Sequence, residues 1–435
     1  MKNLKQNIVI ILLFCATLVM AQQTPAPKQS QPIAIIGATA HLGNGGVIEE
    51  SLIIFENGKL TTVADSRISN VDLSGMKIIE AKGKHVYPGF IIPNSTLGLV
   101  EIDAVRASDD EDEIGNINPH IRSLIAYNAE SKVVETMRPN GVLLGQITPR
   151  GGRISGTSSI VQFDAWNWED AVIKANDGIH MNWPNNFSRG RWWRGESPEL
   201  KPNKDYTKQV QEVSDFLSQS RAYLQGNRST KHLPFEAVKG LFDGSKKLYV
   251  HVDDAKGIID AINFKKQNGI AEMVIVGGYQ SHQVADLLKK NNIPVLINRV
   301  HSTPKHVDDD YDYPFKLAKE LTDAGVLVAL QNSGSMERMN ARNLPFMAGT
   351  TVAYGLSKPQ ALQLITLNAA KILGIDKHYG SLEKGKSATL FISEGDALDM
   401  RTNILEKAFI DGREISLESH QTKLWKRYSN KYKTP

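Results

Sequence analysis

The middle of the chain repeats one pattern, in which short apolar runs alternate with helical stretches. The apolar runs are KLYVHV (247–252), MVIV (273–276), IPVLI (293–297) and VLVAL (326–330), and the helical stretches between them are 257–266, 283–290 and 315–323. Continuous apolar strands alternating with helices are typical of an α/β fold, in which a parallel sheet is covered on both sides. Residues 88–379 show this alternation, and the length of this block is close to the ~250 residues of a (β/α)8 TIM-type barrel. Periodicity alone also allows an open sheet.

Strand-like segments flank this middle block on both sides. Residues 33–87 contain short apolar runs punctuated by Asn57-Gly58, and residues 380–416 contain similar runs punctuated by Asp411-Gly412. Both dipeptides between apolar runs are strong hairpin signals. We therefore expect one small β domain, a β-sandwich, built from the two ends of the chain. A proline-rich linker at 22–32, expected to be mobile, precedes it, and a tail at 417–435 follows it.

The first twenty-one residues have a different character. Lys2 and Lys5 precede an uncharged apolar stretch at 8–20, and Val19-Met20-Ala21 offers small residues at a cleavage position. This pattern predicts a signal peptide at 1–21 and hence an exported, periplasmic or secreted protein. The only cysteine, Cys15, lies inside this stretch, so the mature chain has neither disulfides nor thiolate ligands.

Cleavage after Ala21 is directly measurable. The intact mass of protein taken from its native host should correspond to a chain that starts at Gln22. A mass that retains Met1 would contradict the predicted export.

Charge and hydropathy exclude some partners. The net charge of +4 falls to 4 − 2 = +2 when Lys2 and Lys5 are removed, which argues against a nucleic-acid partner. No second long apolar stretch follows, so no membrane partner is expected after signal cleavage.

Motifs at both ends of the middle block resemble the amidohydrolase superfamily, most closely its imidazolonepropionase-related branch. They are YPGFI (87–91), GLS (355–357), AL (361–362), Thr366, NAA (368–370), LG (373–374) and GSLEKGKSA (380–388), in the family's order. The resemblance implies a barrel with a small β-sandwich. It also implies hydrolysis of non-peptide C–N bonds in cyclic amides or related small molecules, with one or two divalent ions that activate water.

Most ligand positions of that family carry other residues here. The His-x-His of the first strand reads Asn94 and Thr96, the histidine of the sixth strand reads Gly277, and the aspartate of the last strand reads Ser333. Amide and hydroxyl groups are poor ligands for zinc-type ions. The histidine of the fifth strand is present as His251.

A reduced metal site is the first interpretation of what is left. His251 and His180 are candidate ligands, and Asp253, two residues after His251 on the same side of a strand, is a possible third. We expect at most one divalent, zinc-type ion. Alternatively, His251 is a barrel histidine bonded to backbone. His180 would then be a surface histidine, because it falls within 166–195, a tryptophan-rich stretch read as an inserted loop that forms a lid or a satellite core.

The remaining candidates complete the predicted site. Asp253 and Ser333 are the catalytic candidates, and Asn94 and Thr96 are expected to contact substrate. Arg338 and Arg342 follow the last strand, where they could grip a substrate carboxylate or hold a loop in place.

Two functions therefore compete. One is a C–N hydrolase with a reduced site, and the other is a non-catalytic binding protein on the same fold. In either case the partner is a small molecule. A homo-oligomer or a complex with an active relative is also open.

Overall fold

The computed structural model describes residues 25–190, 194–197, 199–226, 230–334 and 336–432. The predicted signal peptide, with Cys15, and both Trp192 and Trp193 lie outside the described residues. The strands are β1 Ile33–His41, β2 Val47–Glu56, β3 Lys59–Asp65, β4 Lys77–Glu80, β5 His85–Pro88, β6 Phe90–Ser95, β7 Val142–Ile147, β8 Ile154–Gln162, β9 Val172–Asn182, β10 Phe187–Arg189, β11 Leu200–Pro202, β12 Lys247–Val252, β13 Met273–Gly277, β14 Val295–Ile297, β15 Val328–Leu330, β16 Leu390–Ser393, β17 Leu405–Ile410 and β18 Arg413–Ile415. The α-helices are α1 Ser123–Ala126, α2 Trp168–Ala171, α3 Tyr206–Gln225, α4 Leu233–Ala237, α5 Lys239–Asp243, α6 Ala255–Gln267, α7 Ala285–Lys290, α8 Tyr313–Asp323, α9 Glu337–Asn340, α10 Leu344–Ala353, α11 Lys358–Gln363, α12 Leu367–Leu373 and α13 His420–Tyr432.

Strands from both ends of the chain share one sheet. Its order is β18-β17-β16-β5-β1-β2-β3, with β4 also paired to β1. The link between the two ends is the antiparallel pair β5–β16, in which Tyr87 lies opposite Phe391. These strands form a single hydrogen-bonded sheet, and the sandwich arrangement expected from the resemblance stays a prediction.

The two hairpin dipeptides turn as the sequence predicts. Asn57 and Gly58 connect β2 to β3 with φ of 50° and 78°, and Asp411 and Gly412 connect β17 to β18 with φ of 48° and 73°. Two successive residues at positive φ match the twist of the flanking strands. Asn, Asp and Gly adopt this conformation at low cost, which explains why they stand at these positions.

The second sheet is a nearly closed barrel, in the order β6-β7-β8-β9-β12-β13-β14-β15. The gap between β15 and β6 is bridged by backbone that follows α11. The amide of Leu330 donates to the carbonyl of Leu364 at 3.1 Å, and the amide of Ile91 donates to the carbonyl of Ile365 at 2.9 Å. The predicted α/β barrel architecture is thus present.

One strand departs from the predicted parallel sheet. β8 pairs antiparallel with both β7 and β9. The connection from β7 to β8 is a short turn that includes Gly151 and Gly152, both at positive φ. A parallel crossover needs about a dozen residues or more, so this turn can only reverse the chain.

The tryptophan-rich stretch 166–195 is not the inserted loop that its composition suggested. Residues 172–182 form β9, a barrel strand paired with β8 and with β12. Lys174, Asn176 and Asp177 interrupt the apolar run of β9 and hide the strand from pattern analysis. Trp183, directly after β9, is buried in the core.

The two predicted connecting segments have defined structure in their described parts. In the predicted linker, the amide of Ala26 donates to Oδ2 of Asp164 at 2.9 Å, and Nε2 of Gln29 donates to the carbonyl of Phe55 at 2.9 Å. The predicted tail contains α13. No helix in the described part of the chain is long and apolar enough to cross a membrane.

Candidate functional site

A cavity of about 660 Å³ lies at the carboxyl ends of the barrel strands. Three predicted site residues line it together: His251, Asp253 and Ser333. Active sites of α/β barrels lie at this end of the strands. A larger cleft of about 1270 Å³ lies against the β domain and residues 25–29, but it contains none of the predicted site residues, so we place the site at the strand ends.

His251 is joined to a buried chain of polar side chains. Its Nε2 lies 2.9 Å from Nδ1 of His180, whose Nε2 lies 3.0 Å from Oγ of Ser158. Ser158 Oγ donates to Oδ1 of Asp177 at 2.8 Å. His180 is therefore not the surface histidine that its sequence context suggested, because it stands on β9 inside the barrel with no exposed surface.

Asp177 sets the direction of the hydrogen bonds in this chain. Its other oxygen, Oδ2, accepts from Tyr249 OH and from Nε2 of Gln146, each at 2.9 Å. Because the hydroxyl of Ser158 donates its hydrogen bond to Asp177, Oγ of Ser158 accepts a hydrogen bond from Nε2 of His180. Nδ1 of His180 then accepts from Nε2 of His251. His251 is left with an unprotonated Nδ1 on a side chain that lines the cavity.

Burial holds both histidines in the neutral form. It lowers the pKa of His251 to about 3, with the charge of Arg150 adding to the effect. It also lowers the pKa of His180 well below its ordinary value, helped by His251 and Arg150. Burial raises the pKa of Asp177, against the hydrogen bonds from Ser158 and Tyr249. Neutral imidazoles in this chain can orient a ligand or accept a proton, but they carry no charge near neutral pH.

These pKa values predict a loss of stability in mild acid. The folded-state pKa of His180 and of His251 lies below the unfolded value of about 6.5. Below about pH 6.5 both histidines are therefore protonated in the unfolded chain while they are still neutral in the folded protein. The free energy of unfolding should therefore fall as pH drops below about 6.5, by about 1.4 kcal/mol per pH unit for each histidine. For His251 the loss continues until its folded pKa of about 3. Urea unfolding at a series of pH values measures this slope.

The matched variants for this prediction are His180→Gln and His378→Gln, the latter at an exposed position. The first should flatten the pH dependence, and the second should leave it unchanged. Equal slopes for the parent protein and the His180→Gln variant would contradict the assignment.

A second network fills the first-strand side of the barrel mouth and was missed by the sequence analysis. Arg150 donates from Nη1 to Oδ1 of Asn94 at 3.0 Å, and from Nη2 to Oε1 of Glu337 at 2.8 Å. Nδ2 of Asn94 donates to Oε1 of Gln331 at 3.1 Å. Glu337 also accepts from the backbone amide of Thr96 at 3.0 Å. The amide group of Asn94 is therefore used on both sides, and its neighbour is a fixed cation.

Arg150 stands in the turn PRGG (149–152) at the end of β7. Its position at the carboxyl end of a barrel strand was the signal that could have identified it. Asn94 has φ of 51°, a conformation that asparagine tolerates better than most residues. Asn94 and Thr96 are fully buried and are not among the residues that line the cavity, so their predicted substrate contact has no support from their position.

The two candidate arginines have different surroundings. Arg338 lies at the site, where its Nη1 donates to Oγ1 of Thr96 at 3.3 Å and it also pairs with Asp103 and Glu111. It thus holds loops together, which is one of its two predicted roles. Arg342 is exposed, and its carbonyl accepts from Nδ2 of Asn140, just before β7. Arg342 is consequently near the amino end of a barrel strand and is not among the residues that line the cavity, so its predicted contact with a substrate has no support from its position.

The carboxylate of Asp253 bonds to residues other than His180 and His251. Its Oδ1 accepts from Nδ2 of Asn298 at 2.9 Å, and its Oδ2 pairs with Lys305. Within the described residues, no group of three or more His, Cys, Asp and Glu side chains is placed to hold a metal ion. The imagined site of two histidines and Asp253 is therefore not formed there.

The family's pair of divalent ions also does not fit the side chains at its ligand positions. Asn94 is committed to Arg150 and Gln331, and Gly277 offers no side chain. Arg150 adds a positive charge beside the place that a cation would need. The residues present at these positions therefore do not fit a metal-dependent step.

The fold and site together define an α/β-barrel protein with a cavity at the carboxyl ends of its strands. A model of the amidohydrolase family matches residues 241–415. Over these residues the chain is similar to that family.

Sequence relatives cover part of the chain. An imidazolonepropionase from Flavobacterium psychrophilum is 28% identical over 109 residues, which are 23% of this chain and 26% of that protein. An imidazolonepropionase from Thermoplasma volcanium is 33% identical over 121 residues, 26% of this chain and 29% of that protein. The match thus spans between a quarter and a third of these relatives' own length.

The fold is similar over almost the whole chain to that of a solved protein. An amidohydrolase from Thermotoga maritima has a TM-score of 0.76 at 22% identity, and the match covers 88% of this chain and 99% of that chain. At this level of identity the likeness shows the fold alone.

Proposed function

We propose that this protein binds a small neutral molecule, a cyclic amide or a related compound, at the barrel mouth and does not run two-metal hydrolysis. The observation that carries the proposal is the bonding of the Arg150 guanidinium to Asn94 and Glu337. A fixed protein cation there competes with a divalent ion for the same negative and polar partners. The fold, the cavity and the family relationship all fit binding of a small molecule.

The lining of the cavity supports a neutral ligand. It contains two carboxylates, Asp253 and Asp254, and two ammonium groups, Lys256 and Lys305, so the charges balance. Its amide side chains can both donate and accept hydrogen bonds, as a cyclic amide requires. They are Asn185, Asn186, Gln280 and Asn298. Phe187, Leu200 and Tyr279 add apolar surface on which a ring can rest.

Hydrolysis of a non-peptide C–N bond is the second candidate. It is favoured by the hydrogen-bond directions of the buried chain, which leave Nδ1 of His251 able to accept a proton from water. Asp253 or Ser333 would then position the water or the substrate. A base with a pKa of about 3 is weak at neutral pH, because efficient general bases titrate near the working pH. For this reason we place binding first.

Metal content is the first test of these proposals. Protein purified without added ions should contain well under two equivalents of transition metal by elemental analysis. Four of the family's ligand positions carry amide, hydroxyl or glycine residues instead: Asn94, Thr96, Gly277 and Ser333. Two equivalents of zinc per chain would overturn the proposal.

Ligand binding and turnover separate the two candidate functions. Calorimetry with hydantoin and dihydrouracil as probes should detect binding that is lost in Asn298→Ala, while the exposed His378→Ala variant keeps it. If the protein also hydrolyses a probe and His251→Ala removes that activity without removing binding, the second candidate replaces the first. Absence of binding to any cyclic amide would contradict both.

A further inference from the structure

The last helix of the described chain, α13 (His420–Tyr432), buries none of its residues. It is attached at its start, where the backbone amide of His420 donates to Oε1 of Glu135 at 2.7 Å. The helix is three to four turns long, and a helix of this length that buries none of its side chains needs another source of stability. This isolation is the first observation that points to a partner.

The helix has an apolar face that is open to solvent. Leu424, Trp425, Tyr428 and Tyr432 recur at helical spacing and fall within one arc of about 100° at 3.6 residues per turn. Trp425 is 69% exposed, Tyr428 50% and Tyr432 72%. Large aromatic side chains rarely stand together in water without a function.

The charged side chains on the rest of the helix surface are all cationic. Lys423, Lys426, Arg427 and Lys431 lie outside the aromatic arc, and the segment 420–432 contains no acidic residue. Lys426 forms an ion pair with Glu418, just before the helix, but both side chains are about half exposed, so this pair is weak. The helix therefore presents an aromatic face flanked by positive charge.

We propose that α13 binds an anionic lipid surface, lying in its plane with the aromatic face among the headgroups. Tyrosine and tryptophan suit this depth because each has an apolar ring and a polar group. Lysine and arginine extend along the surface and place their charges beside lipid phosphates. The expectation of no membrane partner rested on the lack of a long apolar stretch, and interfacial binding requires none. This inference is independent of the function proposed for the barrel.

Vesicle co-sedimentation of the full protein tests the proposal. It should bind vesicles that contain equal amounts of phosphatidylglycerol and phosphatidylcholine, and it should bind pure phosphatidylcholine much less. Binding should weaken as salt is added, because salt screens the charges. Quenching of tryptophan fluorescence by brominated lipid should be lost in Trp425→Phe.

Two triple variants separate the two faces of the helix. Lys423→Gln, Arg427→Gln and Lys431→Gln together should lower the partition coefficient at least about tenfold. Trp425→Ser, Tyr428→Ser and Tyr432→Ser together should lower it by a similar factor. The control variant changes three exposed lysines on other parts of the surface, Lys208, Lys231 and Lys266, to Gln, and should bind like the parent protein.

Three results of the vesicle assay would overturn the proposal. The protein could bind neither vesicle, or bind both equally, or lose binding in the control variant as much as in the helix variants. Size-exclusion chromatography of the parent protein and of the aromatic variant tests whether the aromatic face instead forms a dimer. If the parent is a dimer and this variant a monomer without a change in lipid binding, the face joins two copies of the chain instead. Circular dichroism checks that each variant keeps the parent fold.

Discussion

Removal of residues 387–435 is expected to give insoluble protein. This segment contains β16–β18, which supply Leu390, Ile392 and Phe409 to the buried cluster of the β domain. The same cluster contains Ile35, Ile53 and Phe55 from the other end of the chain, and the rings of Phe55 and Phe409 meet edge to face at 5.1 Å.

The size of the effect follows from burial. Burying one large apolar side chain is worth about 1.5–3 kcal/mol, whereas whole domains are stable by only about 5–15 kcal/mol. The deletion removes several such side chains together with three strands of the sheet. The free energy lost therefore exceeds the total stability of the domain. The exposed strand β5 would also offer unpaired backbone groups for aggregation.

Solubility and cooperative unfolding measure this result. The matched control is a shorter deletion, of residues 420–435, which removes α13 and none of the residues of the buried cluster. The shorter variant should stay soluble and unfold cooperatively. A soluble, cooperatively folding 387–435 deletion would contradict the view that both ends of the chain build one unit.

Asp164→Asn is expected to destabilise the protein by about 3–5 kcal/mol, the loss typical of breaking a buried ion pair. Asp164 is 1% exposed and bonds to Arg138 at 3.0 Å and to Arg413 at 2.8 Å. It also accepts the amide of Ala26. One carboxylate thus connects the start of the described chain, the barrel and β18. The substitution keeps its shape but removes the charge that faces two buried or half-buried guanidinium groups.

Chemical denaturation of the Asp164→Asn variant checks this prediction through the midpoint of unfolding. The control is Asp399→Asn, which breaks an exposed pair with Arg401 and should change the midpoint little. Equal effects of the two substitutions would show that Asp164 has no special role in joining the three segments.

The local features of this protein follow from its sequence. The strands β12 and β13 lie within a residue of the limits that their apolar runs predict, and the helix α8 ends at the predicted residue 323. The hairpin turns at Asn57-Gly58 and Asp411-Gly412 need only the intrinsic freedom of those residue types. His251 was placed on the correct strand for the same reason, since an apolar run predicts its own strand and the side chains on it.

The tertiary structure decided what depends on residues far apart in the chain. β9 was hidden because Lys174, Asn176 and Asp177 interrupt its apolar period, and with it the burial of His180 was hidden. Asp177 is polar because it bonds within the buried network of the barrel. Arg150 and Glu337 are 187 positions apart in the chain, and no local sequence pattern around either residue predicts that they form an ion pair. Periodicity and turn chemistry report on neighbours within a few residues, whereas an ion pair at a barrel mouth exists only once several strands have closed around it. The sequence by itself therefore determined the hairpin turns and the strands that carry an apolar period, and only the folded barrel determined which side chains meet at its site.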